Sequence, residues 1–244
     1  SARIKSGNIA ADEYGRVWWL RAEIPYQRGD LLVSIGRLED GLRHLPKDAE
    51  VARARLLAEL GWCHLRRNEF DIAVTVLRAA VELAYDGGDW TVLTAALDRY
   101  AYALGATGSL AEALELYERA ELASQRCSDP SEQAMVRVHH GVARFWNDDL
   151  DGALARFDEA AELCVRHGLV YDRSVVHWRR ARVEEARGEP ALALDERDAE
   201  LWLLQQLGNH RNLAGCQAHR ARLLRRLGRP GQAEQAATEA RAAA

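Results

Sequence analysis

Lysine is almost absent from this chain. Of its 33 basic residues only Lys5 and Lys47 are lysines; the rest are arginines. Neither lysine follows a glycine-rich turn, which excludes a P-loop, because phosphate cradling there needs a Gly-Lys pair at the mouth of a helix. The same scarcity removes a Schiff-base lysine. So strong an arginine bias fits a GC-rich genome and points to a bacterial source. Cysteine is sparse as well. Cys63, Cys127, Cys164 and Cys216 lie far apart with no C-x-x-C pair, and read as small buried hydrophobes in a reducing compartment, the cytoplasm. Long apolar runs are missing too. No stretch approaches the roughly 18 residues that span a bilayer, and Ser1–Gly7 has no signal-peptide core, so no membrane contact is expected. With 48% apolar and 29% charged residues the composition is that of an ordinary globular chain, and its net charge of −4 makes no general case for nucleic acid.

Catalytic arrangements are lacking in the same way. No G-x-S-x-G turn organises serine, histidine and aspartate. His139-His140, the one adjacent histidine pair, has no H-E-x-x-H context for zinc. Together with His64, His177 and His219, the pair is expected at the surface or at a helix interface. Glu184-Glu185 and Asp148-Asp149 are sequence neighbours, which diverge on a helix or turn. No catalytic residue, no metal ligand and no cofactor is therefore expected, and the chain is read as a non-enzyme.

What the sequence does contain is a period. Ala22, Gly61, Ala101, Gly141, Ala181 and Ala221 form one column of small residues, and Ser34, Ala73, Ala113, Ala153, Ala193 and Ala233 a second, twelve positions later. Within each column the spacing is 39 once and then 40 throughout. A fixed period in this range marks stacked supersecondary units. Each unit reads as two helices of roughly 14–17 residues, short enough to need a neighbour. Asn68, Gly108, Asp148, Gly188 and Gly228 mark the turn inside each unit, and Gly88, Ser128, Gly168 and Gly208 the turn between units. Pro130, Pro190 and Pro230 open helices, where a missing N–H costs nothing. Ser109 with Glu112 forms a capping box on paper. The units begin near 15, 54, 94, 134, 174 and 214, after a lead-in of residues 1–14.

At these positions the chain resembles the tetratricopeptide repeat. Trp18 and Ala22, then Ser34, Leu38 and Pro46, carry the likeness in the first unit, and Ala101, Ala113, Tyr117 and Ala120 in the third. Ala113-x3-Tyr117 and Ala153-x3-Phe157 match the family's A-x3-F element. The period is longer than the family's usual 34 and is similar to the 40-residue class found in bacterial signalling ATPases, transcriptional activators and CHAT proteins. The resemblance implies an all-α, right-handed α-solenoid of about six helix-turn-helix repeats. Two departures stand out. Arg197 replaces the aromatic of Tyr117 and Phe157, so the second helix of unit five is expected to pack less tightly or to lean outward. Pro25 falls inside the first helix, which should kink or end there and leave unit one irregular. The chain opens at Ser1 and closes within a second helix that has no polar cap, which reads as a segment of a longer protein or as an array capped by something else.

The resemblance also implies that first helices line a concave binding face. Counting outward from the small columns puts Trp19, Trp62, Asp98, Tyr102, Val138, Val142, Trp146, Trp178, Arg182 and Arg222 there. Aromatics and arginine are the residues that binding hot spots favour. Trp18 and Trp19 are adjacent, so only one can be fully buried, and Trp19 is the one expected at the surface. The lysine- and asparagine-based clamp with which some relatives hold a terminal carboxylate has no counterpart here. Residues 171–244 hold thirteen arginines against ten acids, a net of +3 that leaves −7 for the rest. That half is suited to an acidic peptide segment, a phosphate or RNA. The reading that follows is a protein- or peptide-binding module, regulatory or scaffolding, within a larger bacterial signalling protein. The alternatives are a small-molecule-sensing arm of a signalling ATPase or activator, and RNA or nucleotide binding through the arginine-rich half.

Overall fold

The period is built into the turns. Gly29, Asn68, Gly108, Asp148, Gly188 and Gly228 all take left-handed backbone, with φ between 61° and 94°. The residue after each donates its N–H to the carbonyl five positions back: Asp30 to Pro25, Glu69 to His64, Ser109 to Leu104, Asp149 to Arg144, Glu189 to Glu184 and Arg229 to Leu224, at 2.9–3.0 Å. This Schellman closure satisfies a helix-end carbonyl and reverses the chain within two or three residues. Gly88, Gly168 and Gly208 repeat the left-handed turn at the ends of second helices.

The structure, a computed structural model, describes residues 8–243, apart from the side chains of residues 8–10, 210 and 211. Among these there are twelve α-helices and no strand. The helices are α1 Asn8–Arg28, α2 Leu31–His44, α3 Glu50–Arg66, α4 Phe70–Gly87, α5 Trp90–Ala106, α6 Leu110–Ser124, α7 Pro130–Trp146, α8 Leu150–His167, α9 Val170–Arg187, α10 Pro190–Gln206, α11 His210–Arg226 and α12 Pro230–Ala243. The first helices from α3 to α11 start forty residues apart, each four residues ahead of the boundary the sequence suggests. The fold is an all-α solenoid of helix-turn-helix repeats.

Residues 1–132 and 133–244 form two compact units. In the first, α1 packs on α2 and α3, α3 on α4 and α5, and α5 on α6. Trp18, Leu38, Leu56 and Leu60 lie in its core. In the second, α8 to α12 pack each on the next, around Leu194, Leu223 and Leu224. Both small-residue columns are buried along their whole length. Their smallness is required by the partner helix. A Cβ on Gly61 would collide with Leu77, and one on Gly141 would stand 2.5 Å from Phe157 Cε1 and 3.0 Å from the Ala153 carbonyl oxygen. The aromatic of the A-x3-F element thus fills the space its facing glycine vacates. All four cysteines are buried and free.

Four expectations need correcting. Ser109 makes no side-chain cap, because the Schellman bond from its own N–H already closes the turn; Asp89, Asp149 and Asn209 cap instead. Pro25 does not end α1. It sits at the carbonyl-donating position of the turn, where its missing N–H leaves the Asp30 bond intact. Unit one differs elsewhere: α2 is only 14 residues long, and a Leu45–Ala49 link precedes α3. Arg197 does not tilt α10 outward but lies inside at 1% exposure, its Nη1 2.8 Å from Glu200 Oε2. His139 and His140 are core residues, 5% and 2% exposed; the His140 Nε2 accepts from Arg144 Nε at 3.2 Å.

Candidate functional site

In the first unit, side chains from three first helices come together. Trp62 on α3 donates its indole N–H to the Tyr26 hydroxyl on α1 at 2.9 Å. Its ring meets Tyr102 of α5 edge-on, with centroids 5.5 Å apart. All three are half-buried, a position from which an aromatic ring offers apolar area and a polar tip together. Behind them Arg99 Nη2 lies 3.0 Å from Glu59 and 3.4 Å from Glu132, with Asp98 adjacent in sequence and buried. One guanidinium serves three carboxylates. Burial raises the Glu132 carboxyl to about 7; Arg99 opposes this, and Asp98 and Glu59 reinforce it. Burial also raises the Tyr26 phenol, keeping it neutral.

In the second unit Trp178, Arg182 and Arg222 line one cavity of about 430 Å³ together with Phe145, Glu185, Arg197 and His219. Four helices contribute: α7, α9, α10 and α11. The Arg182 guanidinium lies 5.4 Å from the centre of the Phe145 ring, and Arg179 stacks on Trp178 at 4.0 Å. Arg222 reaches Glu185 at 2.5 Å. Burial lowers the His219 pKa, and Arg197, Arg222 and Arg182 lower it further by repulsion. A cavity of about 510 Å³ in the first unit is lined by Arg16, Arg55, Asp12, Asp89 and Asp129. There three aspartates face two arginines, with Arg55 3.8 Å from Asp89. Among the described residues no cluster of three metal-ligating side chains occurs, and no helix is long and apolar enough to cross a membrane.

The remaining expected residues fall elsewhere. Trp19 is half-buried and packs against the core of the first unit beside buried Trp18. Trp146 is half-buried and outside the cavity lining. Asp98, Val138 and Val142 are buried and present no binding surface. Asp98 and Val138 stand three residues before Ala101 and Gly141, and so share the packed face of their helices. Val142 occupies the column of Trp62, Tyr102, Arg182 and Arg222, but its short side chain does not reach past its neighbours. Sequence reasoning missed Tyr26, Phe145, Glu185, Arg197 and His219. Tyr26 was findable: it lies seven residues, two helical turns, after Trp19. For Arg197 an outward lean of the helix is the expectation that fails, since its side chain lies inside.

No protein-family model matches the chain, and no curated protein matches it in sequence. Solved structures do. BtubC from P. vanneervenii superposes with a TM-score of 0.68 at 16% identity, over 88% of each chain. PlcR from Bacillus thuringiensis, in a complex with the peptide PapR7 and DNA, gives 0.69 at 13% identity, over 84% of this chain and 74% of its own. A signal-transduction ATPase of the STAND class with a tetratricopeptide-repeat sensor, from Pyrococcus horikoshii, gives 0.63 at 16% identity. This chain spans 85% of itself in that match and only 34% of the ATPase. At such identities the likeness concerns architecture, and on that level it agrees with the turns and columns above: this chain has the tetratricopeptide-repeat fold.

Proposed function

We propose that this chain is a non-enzymatic module that binds a protein or peptide segment on the wall of its first helices. The observation that carries the reading is the half-buried aromatic set Tyr26, Trp62 and Tyr102 on three successive first helices. Trp178 and Phe145 repeat it in kind beside Arg182 and Arg222. Partly desolvated aromatics next to arginine are the composition of interface hot spots. The bound peptide in the PlcR complex supports the same use of the fold. The STAND neighbour, whose tetratricopeptide repeats are its sensor, supports a regulatory or scaffolding place within a larger signalling protein.

A second reading, a small-molecule-sensing arm, is favoured by the 430 Å³ cavity, which falls within the ~300–1,000 Å³ span of ligand sites. Four of its seven lining residues are charged, beside the Phe145 and Trp178 rings, which favours a ligand with both polar groups and an apolar face. RNA at the arginine-rich half is a third reading.

Selection of peptides from a displayed random library against the full chain tests the proposal. Selected peptides are expected to lose about tenfold or more in affinity, above ~1.4 kcal/mol, with Trp62→Ala, Tyr102→Ala or Trp178→Ala, while helicity and melting change little. Binding that fails only together with melting would place these aromatics in the core and overturn the reading.

A further inference from the structure

The second unit holds a buried guanidinium that its own fold leaves partly unanswered. Arg197 occupies the column filled by Tyr117 and Phe157 in the two preceding repeats, and it is 1% exposed. Only Nη1 is answered, by Glu200 at 2.8 Å; Nε and Nη2 are buried without a hydrogen-bond partner. An aromatic there would stand in the register of Ala181, as Phe157 stands against Gly141. Arginine at this place desolvates a charge that the repeat does not need, and buried donors without acceptors are rare in native structures. Arg197 also lines the cavity shared by Arg182, Arg222, His219, Glu185, Trp178 and Phe145.

The charges around that cavity do not balance. Arg182, Arg197 and Arg222 face Glu185, paired to Arg222, and Glu200, paired to Arg197. Arg182 has no carboxylate of its own among the described residues and lies over the Phe145 ring. Three guanidiniums against two carboxylates leave one positive charge, with His219 kept neutral by burial and by the neighbouring arginines. The deficit is one monoanion. Guanidinium forks match a planar carboxylate in two parallel hydrogen bonds, and Trp178 and Phe145 provide apolar surface for the residues flanking it.

We infer that the cavity between α7, α9, α10 and α11 is a carboxylate-binding site, in which Arg182 and Arg197 receive an acidic side chain of the peptide partner. This rests on the peptide-binding reading above and specifies its ligand chemistry.

The test follows the arginine Nε–Hε signals of the full chain by NMR during titration with four probes. These are acetate, inorganic phosphate, a capped pentapeptide with one glutamate between leucines, and its glutamine counterpart. Acetate and the glutamate peptide are expected to shift the Arg182 and Arg197 signals, and the glutamine peptide to bind at least about tenfold more weakly, the scale of a lost charged hydrogen bond. Arg197→Phe restores the aromatic of the column, so it should melt at or above the wild-type temperature while losing the acetate response at Arg182. Arg182→Gln, at an exposed position, should weaken the glutamate peptide by a similar factor with unchanged melting. Signals unmoved by acetate and by the glutamate peptide would overturn the inference, as would a response surviving Arg197→Phe. A site that answers phosphate alone would overturn the carboxylate assignment. Library peptides held by Trp62 alone, with Arg197 silent, would sink this inference and leave the module reading standing. A carboxylate response without any peptide on the wall would do the reverse.

Discussion

Gly141 has no side chain because the Phe157 ring stands where one would go, while Gly215, on α11, has nothing within 4 Å of that place. The two glycines therefore predict opposite outcomes for the same change. Gly141→Ala forces Phe157 or the α8 backbone to move and should destabilise by about 1–3 kcal/mol. Gly215→Ala only removes backbone freedom from a helix interior and should stabilise by about 0.5–1 kcal/mol. At about 2–4 °C per kcal/mol for a chain of this size, thermal melting separates the two signs. Equal shifts would contradict the packing described. The columns were legible in the sequence because a helix contact this close admits only small residues, so the constraint repeats at every unit. Arg197 was not. Nothing in one sequence tells whether a charge at a core position has pushed its helix out or been drawn in, and only the structure shows Glu200 within reach.

At the scale of the element, the turns determine where helices stop. Gly108 holds φ 94° and Asn68 φ 61° in equivalent turns. Gly108→Ala puts a Cβ against left-handed backbone and should cost about 1–2 kcal/mol, whereas Asn68→Gly should be neutral or stabilising by less than about 1 kcal/mol. Urea unfolding of both variants checks the pair; an Ala tolerated at 108 would contradict the turn. These positions could be read from residue type alone. The capping role of Ser109 could not, since its residue type suits an N-cap whether or not the hydroxyl makes the bond, and here it makes none.

Three elements, α3, α5 and the start of α7, place Glu59, Asp98 and Glu132 around Arg99, and that grouping predicts a pH dependence. The Glu132 carboxyl is raised from 4.5 to about 7. Over that interval the folded chain keeps a proton that the unfolded chain has released, so stability falls as pH rises through it. Glu132→Gln removes the titrating group. Its melting temperature should decline less than wild type between about pH 5 and about pH 7.5, and superimposable profiles would take Glu132 out of the account.

At the scale of the molecule, the repeat, its period and its helix pairs were all present in the residues, because every unit obeys the same packing and turn constraints. The site was only partly so. Trp62 and Tyr102 come together because forty residues return the chain to the same face, and Trp178, Arg182 and Arg222 share a cavity for the same reason. Tyr26, Phe145 and His219 belong with them through side-chain reach, which a column count does not measure. The central claim is that first helices, not second helices, carry the binding surface. Amide hydrogen exchange of the full chain with and without a selected peptide tests it most directly. Protection is predicted on α1, α3 and α5, or on α7, α9 and α11, with α10 responding only around Arg197. Protection confined to α2, α4, α6, α8 and α12 would contradict it.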